Sequence, residues 1–302
     1  FSDDSLNNYR FADGQLIFDS TQIIIDILIN ELGIDFPIYV EEGVEGDVNW
    51  LHSFSTREPT EAKSVISEAL KSTQTIATFG VNSDFKILKI HEKIESGEHL
   101  EPSDIFVIDS SLVLKYSYSL TKIEEIYNSI NVKYDWNEGR GRYNEQTHYT
   151  FTSNSGTEVN TMDDITKDMY PNDPDYQYDI GYYNLKDEEA TFEFETKYVT
   201  WPTTARNIAK MLLLWHCNQH LIINMTLPLS YINLEPGDYV RLDNLIDGNK
   251  AFGRDYTKNA NINGQLVYPF FFITKRTKSD KGEEIEMVQI HRGVYGFYDG
   301  WD

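Results

Sequence analysis

The sequence has little cysteine and no long apolar run, and each absence excludes a structural feature: internal disulfides in the first case and membrane-spanning helices in the second. Its 302 residues include a single cysteine, Cys217, so no disulfide can form within the chain. This cysteine usage fits a protein that folds in a reducing cytosol. No apolar run approaches the roughly 20 residues that a membrane-spanning helix needs, and we therefore expect no membrane span.

Basic residues are scarce as well. The chain has 26 Lys and Arg against 49 Asp and Glu, which gives a formal net charge of -23 at pH 7. Such a chain repels phosphate, so it is a poor candidate for a protein that grips nucleic-acid backbones. Two interpretations stay open: an acidic surface that keeps the protein in solution, and the acidic lining of a channel through which nucleic acid slides without sticking.

Aromatic residues, by contrast, are abundant. They make up 14% of the chain, with 20 Tyr and 16 Phe, and hydrophobic residues make up 40%. This composition is typical of a globular, β-leaning protein. We predict an α+β, β-rich fold in three parts: an N-terminal segment at 1–19, a small helix-and-sheet module at 20–100 and a β-rich domain at 101–302.

The small module is predicted to contain two helices and a short sheet. In "STQIIIDILINELGI" we expect Ser20 or Thr21 to cap the helix N-terminus and Gly33 its C-terminus. The second helix begins near Thr60, and "TIATFGVNSDFKILKI" follows it as a hairpin. The apolar residues of that helix fall on one face: Ala62, Val65, Ile66, Ala69 and Leu70.

The β-rich domain is predicted to contain long loops at about 138–190, a helix at about 202–216 and several hairpins. One hairpin is "LPLSYINLEPGDYVRLDNL", in which Pro236 and Gly237 turn the chain and Asp238 hydrogen-bonds backbone amides. Another has "SDKGE" as its turn. The residues of the first hairpin that we expect to face a core are Leu227, Leu229, Val240 and Leu242.

Three polar clusters are candidates for chemistry. In "WHCNQH", His216 and His220 lie four residues apart beside Cys217, a spacing that can hold zinc. We favour a polar helix end as the interpretation of the two histidines. For the cysteine we favour an inert buried thiol. The "EGRGR" loop around Gly139 and Gly141 lacks the order of a phosphate cradle. The third cluster is an oxygen-rich loop that departs from the EF-hand spacing: Asp173, Asp175 and Asp179.

Aromatic and acidic residues also allow a carbohydrate interpretation. A pair of catalytic carboxylates could lie anywhere in so acidic a chain, and three tryptophans could stack on sugars, although packing within sheets is the interpretation we favour. The triplet at Asn224 matches a glycosylation site by pattern only. We therefore predict no catalytic, cofactor-binding or metal-binding residue, no cofactor and no enzyme. The three tryptophans are Trp136, Trp201 and Trp301.

The last third of the chain has a specific order of elements. The strand "ATFEFETKYVT" leads into the helix "WPTTARNIAKMLLLWHCNQH", strands around "LEPGDYVRL" follow, and the chain continues with "YPFFFITKRTKSDKGEEIEMVQIHR". This order resembles the tail tip, or baseplate hub, proteins of tailed bacteriophages. Upstream, "SLVLKYSYSLTKIEEIYNSINVKYDWN" is similar to a segment that follows a domain boundary in those proteins. The module at 20–95 resembles the helix-and-sheet insertion that they carry.

The resemblance implies a structural protein of the virion tail, folded in the host cytoplasm. Hubs of this family contain β-barrels and form rings, commonly trimers, that join the tail tube to a needle, fibre or receptor-binding device. The genome passes through the ring without specific binding, and an acidic lumen would keep phosphate from adhering. The alternative, from another class, is a carbohydrate-binding or carbohydrate-cleaving β-protein.

Overall fold

The computed structural model describes part of the chain. Its description covers residues 19–34, 37–40, 51–53, 60–73, 75–80, 84–89, 105–127, 129–150, 160–161, 190–216, 219–258, 260–262, 265–267, 269–279 and 282–290. The chain divides into two compact units. The first comprises residues 1–92, 130–149 and 192–211, and the second comprises residues 93–129, 150–191 and 212–302. The sequence-based division at residue 100 stays a prediction.

The first unit contains the helix-and-sheet module. Helix α1 is Ser20–Asp26, which continues as a π-helical turn over Ile27–Glu31, and α2 is Ala62–Thr73. The strands are β1, Ile38–Val40; β2, Thr75–Phe79; and β3, Phe85–Lys89, in the order β1-β3-β2. The expected hairpin forms, because β2 pairs antiparallel with β3. One hydrophobic cluster joins both helices to the sheet, with Ile24, Ile25 and Ile87 fully buried.

The start of α1 differs from the prediction by one residue. Asp19, not Ser20 or Thr21, is the N-cap, since its carboxylate accepts hydrogen bonds from the Thr21 and Gln22 backbone amides at 2.7 and 3.2 Å. A carboxylate at this position satisfies amides that have no partner within the helix. Ser20 and Thr21 are buried in the first turn. Gly33 has φ 63°, the left-handed conformation expected after a helix end.

A second sheet of the first unit brings distant segments of the chain together. It contains β6, Ser129–Asn137; β7, Arg142–Thr150; and β9, Thr191–Glu195. The order of these three strands is β7-β6-β9, and β8, Asn160–Thr161, belongs to the second unit. The sequence predicted mostly loops from 138 onward, but β7 is a nine-residue strand. Helix α3, Pro202–His216, has the predicted bounds and contributes residues 202–211 to this unit and 212–216 to the second.

The second unit is built on a six-stranded sheet in the order β4-β11-β14-β15-β10-β5. Its strands are β4, Ile105–Ile108; β5, Lys115–Leu120; β10, Leu221–Leu227; β11, Tyr239–Leu242; β14, Phe270–Ser279; and β15, Gly282–Gln289. A separate pair, β12 (Ala260–Ile262) and β13 (Gln265–Val267), completes the strands of the described part.

The six-stranded sheet has one shared core. A single hydrophobic cluster contains residues from all six strands, including Ile108 of β4 and Tyr116 of β5 at the two ends. The register of β14 shifts between Ile273 and Lys275, as at a β-bulge. Among the described residues β4 and β5 do not pair with each other, so the barrel stays a prediction.

One predicted hairpin is wrong, and another forms. Strand β10 pairs with β15 and β5, whereas β11 pairs with β14 and β4, so the two strands flanking the Pro-Gly turn are not partners. The intervening Leu229–Tyr231 is a 3-10 turn, and Leu229 is 56% exposed rather than in the core. The turn chemistry is as predicted, because Asp238 accepts a hydrogen bond from the Glu235 amide at 2.7 Å. The hairpin of β14 and β15 also forms.

Gly282 closes that hairpin in a conformation that requires glycine. Its φ is +139°, and a Cβ atom there would lie 2.3 Å from the Leu227 carbonyl oxygen. We expect Gly282→Ala to lower the free energy of unfolding by about 2 kcal/mol, because strain of this kind typically costs 1–3 kcal/mol. Urea denaturation would measure it. Gly248→Ala is the control, since φ is also positive there (+67°) but no atom lies within 4 Å. Equal losses in both variants would contradict the role of the Leu227 contact.

Candidate interaction surface and polar cavity

The two histidines that were weighed as zinc ligands are not part of a metal-binding group among the described residues. His220 is buried, and its two ring nitrogens lie 2.7 Å from the backbone carbonyls of Gln289 and Trp215. Its ring also stacks on the Trp215 indole, with centroids 4.2 Å apart. His216 packs edge-on against Tyr127 at 5.7 Å. Both imidazoles therefore serve packing at the end of α3, as the polar-end interpretation predicted.

Burial governs the protonation of this histidine pair. The pKa of His216 is lowered to about 4, first by burial and then by the neighbouring His220, against a hydrogen bond to the Glu125 backbone that raises it. Burial also lowers the pKa of His220, against hydrogen bonds to Trp215 and Gln289 that raise it. Transfer of a charged imidazolium out of water is unfavourable. The His216 ring is consequently neutral at pH 7.

Several other candidates lie outside the described residues, and the rest are not assembled into a site. Among the described residues no group of three or more His, Cys, Asp or Glu is placed to hold a metal ion. No helix in the described part is long and apolar enough to cross a membrane. Asn224 is exposed in β10. The candidates outside the description are Cys217, Asp173, Asp175, Asp179 and Trp301.

A serine–histidine contact that the sequence did not indicate is structural. His52 Nε2 lies 2.7 Å from Ser72 Oγ, and the Ser72 hydroxyl donates to the Ala69 carbonyl at 3.0 Å. Since that proton goes to a carbonyl, His52 is the donor to Ser72 rather than its base. Both side chains have no exposed surface. The contact joins α2 to the segment that precedes it.

Exposed apolar side chains gather at one end of the six-stranded sheet. We call the "apolar end patch" the group Leu112, Leu114, Leu229 and Ile232, which are 44%, 62%, 56% and 43% exposed. Two hydrogen bonds hold their segments together. The Leu114 amide donates to the Thr226 carbonyl at 2.9 Å, and the Asp109 amide donates to the Tyr231 hydroxyl at 2.9 Å. Contiguous exposed apolar side chains mark surfaces that bind other proteins.

The end strand β4 continues this apolar character. Phe106 and Val107 are 48% and 45% exposed, although they point to opposite faces of the strand. Among the described residues β4 pairs only with β11, and β5, at the other end of the sheet, pairs only with β10. Strands with an unpaired edge can accept a strand from another chain. The patch and the edge strand together form the candidate interaction surface.

A polar cavity of about 340 Å³ lies in the first unit, at the turn between β6 and β7. The turn is closed by the Arg140 and Gly141 amides, which donate to the Asn137 carbonyl at 3.1 and 2.8 Å. Gly141 has the positive φ (60°) that this turn needs. The "EGRGR" loop thus forms a hairpin turn rather than a phosphate cradle. The residues that line the cavity include Asp135, Glu138, Asn144 and Lys197.

The tryptophan in the cavity wall contacts two neighbouring side chains. The Lys197 ammonium lies 5.0 Å from the centroid of the Trp136 ring, and the Tyr143 ring lies 4.9 Å from it in a T-shaped arrangement. These contacts of Trp136 agree with the prediction that the tryptophan packs within the sheet. Tyr198, also in the wall, has its pKa raised, first by burial and then by Glu68 and Glu138.

No protein-family model and no curated protein matches the chain. Among solved structures, it is similar to a prophage tail protein from Listeria monocytogenes, with 12% identity, a TM-score of 0.46 and coverage of 89% of this chain and 64% of that one. It is similar to the tail protein from Neisseria meningitidis, with 10% identity, a TM-score of 0.47 and coverage of 91% and 68%. A chain of the virion of a native gene transfer agent particle matches with 14% identity and a TM-score of 0.44, over 86% and 48%.

The chain spans about half the length of the gene transfer agent protein and about two thirds of the two tail proteins. These structures are tail proteins and a virion component, the class that the sequence resemblance names. At such low identities and TM-scores, no residue role, partner or assembly state passes from them to this chain.

Proposed function

We propose that the chain is a structural protein of a bacteriophage tail tip or baseplate hub. In this proposal it forms a ring, most simply a trimer, that joins the tail tube to the tip or receptor-binding apparatus and lets the genome pass. It acts without catalysis or a cofactor, and its partners are copies of itself and other tail proteins. The order of elements in the sequence supports the family. The observation that carries the proposal is the candidate interaction surface.

The position of the apolar side chains supports a contact between protein chains. The patch lies where the link from β4 to β5 meets the link from β10 to β11, at one end of the sheet. Burial of exposed leucine and isoleucine side chains by a partner would contribute about 25 cal/mol of stabilisation per Å² of apolar surface removed from water. A ring contact that buries them, and that pairs the edge strand β4, would recover this free energy.

The charge of the chain supports passage of DNA. With a net charge of -23, a ring of these subunits repels phosphate wherever its carboxylates line the lumen. The proposal therefore includes a lumen rich in Asp and Glu. An image of the assembled ring with a neutral or basic lumen would contradict this part of it and leave the ring itself in place.

Native mass measured against protein concentration, with negative-stain images of the same samples, tests the ring. We expect species of three or six subunits and ring-shaped particles. Leu114→Glu combined with Leu229→Glu should shift the protein toward monomer, because it places charge in the apolar end patch.

The matched control for this test is Ile123→Glu. Ile123 is 54% exposed but follows the other end of β5, where Leu120 pairs with Leu221. This variant should assemble like the wild type. A wild-type chain that stays monomeric at the highest concentration, with no rings in the images, would contradict the proposal, as would equal assembly of both variants.

A further inference from the structure

The polar cavity of the first unit has the features of a ligand site. Its volume of about 340 Å³ lies within the range of about 300–1,000 Å³ that small-molecule sites occupy. Its wall is built by a β-turn and two strand ends, and β6 departs from strand geometry there. Asp135 has φ 57°, a conformation that few residues other than glycine adopt.

The unusual backbone at Asp135 is held in place from two sides. Its amide donates to the Val199 carbonyl at 2.8 Å, and its carboxylate Oδ2 accepts a hydrogen bond from Asn144 Nδ2 at 2.9 Å. Residues in sparsely populated conformations persist where the surroundings determine them, and they are enriched at functional sites. The result is a carboxylate fixed at the wall of the cavity.

The charges of the lining exclude three classes of ligand. Asp135 and Glu138 bring two carboxylates against the single ammonium of Lys197, so a phosphate or another anion is repelled. The same ammonium opposes a divalent cation, and no metal-binding group of carboxylates occurs among the described residues. An apolar ligand would leave these polar groups without water or partners.

An uncharged ligand with many hydroxyl groups fits the polar lining. A carboxylate accepts hydrogen bonds from hydroxyl groups, and the Asn144 amide oxygen and the Lys197 ammonium supply one more acceptor and a donor. We propose that this cavity binds a small saccharide unit, held by hydrogen bonds to the polar groups of its lining. The site is independent of the interaction surface and of ring formation.

Saturation-transfer NMR on the full chain, with glucose, galactose, rhamnose and N-acetylglucosamine as probes, tests the proposal. We expect transfer from the protein to at least one of these sugars. Asp135→Asn should weaken that binding by about tenfold, because a hydrogen bond to a charged group is lost while the shape is kept. Asparagine tolerates the same backbone conformation as aspartate, so the variant should fold.

The matched control is Asp247→Asn. Asp247 also has a positive φ, 52°, but it belongs to the second unit and does not line the cavity. This variant should bind the sugar like the wild type. Absence of transfer to all four sugars at millimolar concentration would overturn the proposal. Equal binding by both variants, or binding of inorganic phosphate in place of the sugars, would overturn it as well.

Discussion

Arg276→Met is expected to lower the free energy of unfolding by about 3–5 kcal/mol, because it leaves a buried carboxylate without its cation. Arg276 Nε donates to Glu283 Oε2 at 2.8 Å, and the two side chains are only 8% and 1% exposed. The Arg276 guanidinium also donates to the Ile232 carbonyl. The pair thus connects the hairpin of β14 and β15 to the segment that carries the apolar end patch. Urea denaturation at pH 7 would measure the loss.

The neighbouring pair on the same two strands supplies the control. Lys275 Nζ lies 2.9 Å from Glu286 Oε1, but Lys275 is 75% exposed. Water and salt screen such a pair, so Lys275→Met should change stability by less than about 1 kcal/mol. The double variant Arg276→Met with Glu283→Leu should recover most of the loss, because no charge is then left buried. Similar losses for Arg276→Met and Lys275→Met would contradict this account.

Acidification from pH 6.5 to pH 4 is expected to destabilise the second unit by about 2–3 kcal/mol through His216. The pKa of His216 is lowered by burial, from 6.5 to about 4. Between these values the unfolded chain binds a proton that the folded chain does not, so stability is complete above about pH 6.5 and falls as the pH falls. The lowered pKa of the buried His220 acts in the same direction.

In the upper part of this pH range, the titration of the histidines can be distinguished from that of the carboxylates. The pKa of Asp243 is lowered, first by the Ser110 amide, and the pKa of Glu286 is lowered, first by Lys275. These carboxylates have ordinary pKa values of 3.8 and 4.5, so their stabilisation is present above that range and is lost only below it. Loss of stability between pH 6.5 and about 5 therefore reports on imidazole.

His216→Phe should reduce this loss, since phenylalanine keeps a ring against Tyr127 and does not titrate. The measurement is urea denaturation at several pH values from 7 to 4. Tyr127→Phe is the control, because it keeps both rings and the imidazole, and it should show the pH dependence of the wild type. An unchanged pH dependence in His216→Phe would contradict a role for this histidine.

The local elements of the chain could be predicted from its sequence because their signals are local. Helical spacing of apolar residues defines α2, and Pro202 at the start of α3 has a fixed φ that suits the first helical turn. Alternation defines β9, and the Pro-Gly-Asp turn makes its hydrogen bond through Asp238. The N-cap of α1 was missed by one residue, since Asp, Ser and Thr all cap well and only geometry distinguishes them.

The pairing of strands was decided by the tertiary structure. The sequence of residues 227–245 predicts one hairpin. In the structure, β10 pairs with β15 and β11 pairs with β14 at the centre of the sheet. This pairing buries Leu227 and Val240 and leaves Leu229 exposed. Alternation states which residues face a core, but it does not state which strand lies alongside. The cavity was missed for the same reason, since Asp135 and Lys197 are distant in sequence.

The sequence by itself determined the β-rich α+β class, the acidic charge, the α-helices of the described part and the resemblance to phage tail proteins, because composition and short-range spacing carry this information. Only the tertiary structure decided which segments share a core, which leucines stay in water and which carboxylates are fixed in a cavity. These depend on contacts between residues far apart in the chain. The free energy of such contacts comes from burial and complementary charge, which no single segment contains.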